Sequence, residues 1–206
     1  MWVFVCSQTG NDHLWEESYM SQTVKKQTPV RCLTEGGICV ALSLALSYLK
    51  IPVMAGFGGF GGSIDFVMIP LIIFAVRWGA GWGIGAGLVF GTLKYFMASG
   101  GAISWISIIF DYAVAYAFVG FAGLFRKKYA LLPVAALVGC AARFIIHFIS
   151  GVTVYAQYMP EEFMGYTGMT PVLYSTLYNG TYMLPNTVIA VVACALLIPA
   201  MRKLDR

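Results

Sequence analysis

Of 206 residues, 59% are hydrophobic and only 11% are charged, less than half the roughly 25% that a water-soluble domain carries. That excludes a pair of soluble domains, and the net charge of +4 is too unevenly placed along the chain to be a nucleic-acid footprint. Five cysteines without a Cys-x-x-Cys pair, and two histidines, argue against a disulfide scaffold or a structural zinc site.

Residues 1–33 are polar and irregular and lack the order of a signal peptide. They are expected to form a disordered cytoplasmic tail, with 34–206 as the membrane domain. Six apolar stretches follow, at roughly 34–50, 63–77, 79–98, 103–125, 129–156 and 172–201. A bilayer crossing takes about 20 apolar residues, and no charged side chain occurs between Phe163 and Met201. The in–out alternation of a membrane barrel is missing. The expected fold is therefore all-α and integral to the membrane, a six-transmembrane-helix bundle.

Lysine and arginine placement sets the orientation. With both termini cytoplasmic, the inner segments hold Lys25, Lys26, Arg31, Arg77, Arg126, Lys127, Lys128, Arg202, Lys203 and Arg206. The outer loops hold only Lys50, and Lys94 and Arg143 fall inside spans. The expected location is the plasma membrane, multi-pass.

Small residues recur every fourth position in two spans, which lets helix backbones approach closely inside a bilayer. Gly79, Gly83, Gly87 and Gly91 line the third span, and internal packing is the favoured reading there. Gly37, Ala41 and Ala45 line the first, where docking to another membrane subunit stands level with packing.

Three motifs lead nowhere. Gly56–Gly61 matches G-x-G-x-x-G but follows no strand, and it reads as an outer loop carrying Phe57 and Phe60. No P-loop occurs, so the chain does not itself hydrolyse ATP through one. His147 and Ser150 invite a serine-protease reading, but no nucleophile-elbow turn surrounds the serine.

Ionisable residues inside a span cost about 2.5–3.5 kcal/mol on insertion scales and mark function by default. The fourth span carries Asp111, and the fifth carries Arg143 and His147, four residues apart on one helix face. Lys94 lies in the third. Internal pairing would join Asp111 to Arg143 or Lys94. Asp111 and His147 look less like structural partners, since aromatics flank each in the outer half of its helix. Tyr155 follows His147 by two turns, and Tyr174, Tyr178 and Asn179 open the sixth span at similar depth. A carboxylate, an imidazole, an amide and aromatic faces suit a planar heterocyclic cation.

The segments His147–Gly151 and Leu173–Pro185, with Gly62–Pro70 and the Asp111–Tyr112 pair, resemble the thiamine-specific substrate-capture subunit of energy-coupling-factor vitamin transporters. The resemblance spans residues 34–201. It implies six helices around an outward-facing pocket closed by the loop between the first two. Thiamine would be held by Asp111 and Tyr112, by His147, Gly151 and Tyr155, and by Tyr174 and Asn179, with no cofactor and no catalysis. The acidic position is often Glu in that family, and Trp is usual where Tyr155 stands. Phe57 and Phe60 replace a capping Trp. The small face Gly37, Ala41, Ala45 would dock a transmembrane coupling subunit driven by two ATPase subunits. A related subunit for riboflavin or biotin, or an intramembrane enzyme, are the alternatives. An intramembrane anion at Asp111 favours a cationic ligand over biotin's carboxylate.

Overall fold

The computed structural model describes residues 12–54, 61–97 and 104–204. The chain divides into two units, Met1–Glu35 and Gly36–Arg206. Helix α1 runs Asp12–Leu46, so the helix starts well before residue 34. The polar stretch read as an irregular tail is rich in good helix formers (Glu, Gln, Lys, Met), which explains the extension. Residues 1–11 lie outside the described residues.

Two-residue strands β1 (Ile51–Pro52) and β2 (Ser63–Ile64) pair antiparallel. They delay α2, which runs Met68–Trp78 rather than starting at residue 63. Pro70 falls in its first turn, where a missing N–H costs nothing. Gly79, at φ +103, turns the chain into α3, Ala80–Met97.

The fourth rod, α4, spans Trp105–Phe125 and changes its winding three times. A capping box between Ser104 and Ser107 opens it. A π-type stretch covers Ile108–Val114, an α stretch Ala115–Val119 and a tighter 3₁₀ stretch Gly120–Phe125. Helix α5 runs Leu132–Thr153 and ends three residues short of expectation, because Ala156–Tyr158 forms a 3₁₀ turn. After a small hairpin of β3 (Glu162–Phe163) and β4 (Tyr166–Thr167), α6 runs Pro171–Leu204 and continues through Pro185 and Pro199.

Among the described residues, four stretches are long and apolar enough to cross a membrane: Pro29–Leu46, Trp105–Phe125, Tyr129–Thr153 and Pro171–Leu204. Helix α2 is shorter and apolar, and the 18 residues of α3 reach about 27 Å at 1.5 Å per residue. The protein is an all-helical integral membrane protein. Apolar side chains such as Leu196 and Leu184 are exposed, as expected where lipid replaces water.

Within the second unit the main core joins α2, α4, α5 and α6 through residues such as Leu71, Ile72, Val119, Leu132 and Ala190. The glycine face of α3 packs internally. A methyl group built on Gly87 or Gly91 would overlap the carbonyl of Tyr116 or Tyr112 on α4. These glycines bring α3 against the π-type stretch that carries Asp111 and Tyr112. On α1, Val40 and Ser43 are buried, as is Ser47 in the turn that follows, while Gly37, Ala41 and Ala45 are exposed. A methyl group on Gly37 would meet nothing within 4 Å.

Candidate functional site

The site is built where α4, α5 and α6 meet. A π-type turn adds a residue per turn and re-aims the side chains it carries, which is why such turns gather at functional sites. Here it carries Asp111, whose Oδ1 lies 3.1 Å from Nδ1 of His147 on α5. The side chains of Asp111 and His147 are 12% and 10% exposed. A carboxylate only accepts, so Nδ1–H donates to it, and in the neutral imidazole Nε2 carries a bare lone pair. Neither Nε2 nor Asp111 Oδ2 has a hydrogen-bond partner among the described residues. Tyr155, two turns beyond His147, lies beside Asp111 and Ser107. Tyr112, next to Asp111, packs edge-on against Tyr95 at 5.4 Å.

The alternative of internal pairing between Asp111 and Arg143 or Lys94 does not form among the described residues. Lys94 pairs instead with Asp65, at 3.2 Å, and donates to the Tyr116 hydroxyl at 2.6 Å. Arg143 lies over the Tyr116 ring at 4.2 Å and donates from Nη2 to the same hydroxyl at 3.0 Å. Its Nε and Nη1 have no hydrogen-bond partner among the described residues. Asp65 follows β2 and is buried. Asn186 of α6 fixes the chain on either side, accepting from the Asp65 N–H and donating to the Ser63 carbonyl, both at 2.8 Å. Sequence reasoning quoted Asp65 within a motif but assigned it no partner. Its signal was there: it is the one acid beside the second span, and a buried lysine needs an anion.

Helix α6 supplies an aromatic ladder. Tyr174, Tyr178 and Tyr182 stand four residues apart, with centroids 5.6 and 6.2 Å apart in succession. Phe163 of β3 packs edge-on to Tyr174 at 5.1 Å, and Tyr182 meets the His147 ring edge-on at 6.4 Å. Tyr182 was missed as a site residue, although its spacing from Tyr174 and Tyr178 places it on their face. The Tyr178 hydroxyl ties down Gly61, accepting from its N–H at 3.1 Å and donating to its carbonyl at 2.9 Å.

Asn179 serves the helix pair. Its amide nitrogen donates to Ser175 O and Oγ at 3.0 and 3.2 Å and to His147 O at 3.4 Å. Its oxygen accepts from Tyr182 at 2.8 Å. Gly151 permits this approach, since a methyl group there would overlap Ser175 Oγ. The structure therefore brings Asp111, Tyr155, His147, Tyr182 and Tyr178 to one region through direct contacts. It places Asn179 and Gly151 at the adjoining α5–α6 crossing. Phe57 and Phe60 lie outside the described residues.

The protease reading finds no support in this geometry. Ser150 Oγ has no hydrogen-bond partner among the described residues and His147 uses Nδ1 for Asp111, so no nucleophile–base bond joins them.

The chain is similar over most of its length to known proteins. The thiamine transporter ThiT of Bacillus subtilis is 31% identical over 159 residues, covering 70% of this chain and 79% of its own. The thiamine transporter ThiT of Lacticaseibacillus paracasei is 28% identical over 187 residues, covering 81% and 86%. A solved structure described as ThiT from Listeria monocytogenes shares the fold, with a TM-score of 0.73 at 23% identity over 85% of this chain and 97% of that one. The family profile described as "Thiamine transporter protein (Thia_YuaJ)" matches residues 33–205, and the chain belongs to that family.

Proposed function

We propose that the protein binds thiamine at Asp111, Tyr112, His147, Tyr155, Tyr174 and Tyr182 and is the substrate-capture component of a vitamin importer. Membership of a transporter family makes it a transport protein and not an enzyme. The observation that carries the site is the Asp111–His147 pair, largely buried yet with Oδ2 and Nε2 unpartnered among the described residues, beside an aromatic wall. Buried polar atoms without partners are costly, about 1–3 kcal/mol each, so an arrangement that keeps them does so for a ligand. Thiamine has what they require. Its aminopyrimidine offers N–H donors and ring-nitrogen acceptors, and its thiazolium cation suits a carboxylate and aromatic faces. Asn179, which accepts from the Tyr182 hydroxyl, and Gly151, which lets Ser175 approach, shape the α5–α6 crossing.

The Lys and Arg distribution supports cytoplasmic termini in the plasma membrane and capture from the outer side. The exposed face of Gly37, Ala41 and Ala45 supports docking to a transmembrane coupling subunit powered by two ATPase subunits. Titrating thiamine into the purified protein by calorimetry tests the reading. Saturable one-to-one heat is expected, with no response to riboflavin or biotin. Silence with thiamine, or an equal response to riboflavin, would refute it. Ala41→Trp tests the docking face, where loss of cellular uptake with thiamine binding intact is the expected result.

A further inference from the structure

In membrane helices a serine or threonine hydroxyl has a ready partner, the carbonyl one turn back. This chain uses it repeatedly. Thr92, Thr153, Thr176, Thr181 and Thr187 each donate to the carbonyl four residues earlier, at 2.7 to 2.9 Å. Ser175 reaches across instead and donates to Phe148 O at 3.0 Å. Ser150 does neither. Its residue is 1% exposed, and its Oγ has no partner among the described residues.

Its position says what the hydroxyl awaits. Ser150 stands three residues after His147 and seven after Arg143, so the three share one face of α5. All three carry orphaned buried polar atoms, and Asp111 Oδ2 from α4 is a fourth. Of the five residues with such atoms among the described residues, only Ser43 lies outside this group. Asp111 Oδ2 and a neutral His147 Nε2 can only accept, so they answer the N–H groups of a ligand. The remaining need is a donor for its ring nitrogens. Arg143 can donate but sits one turn deeper and carries a charge that repels a cation. A neutral hydroxyl has no such penalty.

We infer that Ser150 is a ligand-contacting residue whose hydroxyl donates to an acceptor nitrogen on the heteroaromatic ring of the bound vitamin. The inference rests on the thiamine reading above.

The test exploits a sign difference. Deleting an orphaned hydroxyl removes no bond from the empty protein. Ser150→Ala should therefore leave the ligand-free melting temperature unchanged or raise it. Thiamine affinity should fall about 2- to 10-fold, the worth of one neutral hydrogen bond. Ser150→Cys, close in size but a poor donor, should behave alike and decides the matter if the alanine variant does not fold. A thiamine analogue with the acceptor ring nitrogen replaced by carbon should bind wild type and Ser150→Ala equally. Unchanged thiamine affinity in the variants overturns the inference. So does a lower ligand-free melting temperature in both variants, which would place the hydroxyl in a bond within the protein. Failure of the unsubstituted protein to bind thiamine sinks the functional reading first, and this inference with it.

Discussion

Two polar clusters lie within the same set of helices and are built on opposite plans. In the first, Asp65, Lys94, Tyr116 and Asn186 close on one another. Carboxylate meets ammonium, ammonium meets phenol, and the amide clasps backbone on both sides of the acid. None of their buried polar atoms is left over. In the second, Asp111, His147 and Ser150 share one internal bond, at 3.1 Å, and each retains an orphaned atom. Arg143 belongs to both, with Nη2 on Tyr116 and two nitrogens without partners among the described residues. Buried charge alone therefore does not mark a binding site. Satisfied charge ties helices together, and on the function proposed above the unsatisfied charge is kept for a ligand.

This contrast can be broken by substitution. Lys94→Met leaves Asp65 buried without its counter-charge. Removing one partner of a buried pair costs about 3–5 kcal/mol, so thermal unfolding in detergent should fall sharply. Thiamine affinity of the folded fraction should hold. A large affinity loss with little loss of stability would merge the two clusters into one site. Tyr116→Phe is the next test. It keeps the ring under Arg143 and Lys94, at 4.2 and 5.0 Å, but removes the oxygen to which both donate. With charged donors the cost is about 1.5–3 kcal/mol of stability. If affinity falls by more than stability, Arg143 must be held by Tyr116 for the ligand's sake, and the first cluster would count as part of the site.

Much of this was readable from sequence because the bilayer simplifies the code. Long apolar runs announce the rods, and Asp111, Arg143 and His147 stand out against them. What stayed hidden has physical causes. The π-type stretch at Ile108–Val114 leaves no trace in hydrophobic periodicity, since one added residue per turn falls below what a short pattern resolves. The β1–β2 pair depends on partners distant in sequence, Ile51 with Ile64 and Pro52 with Ser63, and it took Ser63 and Ile64 out of the expected second helix. Asp65 escaped because it sits at a span edge, where an acid looks solvated. Asn179 was read as an amide free for ligand, yet its spacing of four from Ser175 already allowed a bond within the helix.

Asp111→Asn separates the clusters by the smallest expected effect on folding. The amide oxygen can still accept from His147 Nδ1–H, and among the described residues the ion-pair partner of Asp111 is that histidine. No Lys or Arg is orphaned by the change, so stability should move by less than about 1 kcal/mol. Binding should not be spared. If the carboxylate offsets a cation in a partly desolvated site, affinity for thiamine falls by about 1–3 kcal/mol, or roughly 5- to 150-fold. A neutral analogue without the permanent positive charge should lose much less, because the amide keeps most of the hydrogen-bonding capacity. Equal losses for charged and neutral ligands would show that Asp111 acts through shape or hydrogen bonding. A stability loss as large as that of Lys94→Met would show that Asp111 belongs with the closed cluster after all.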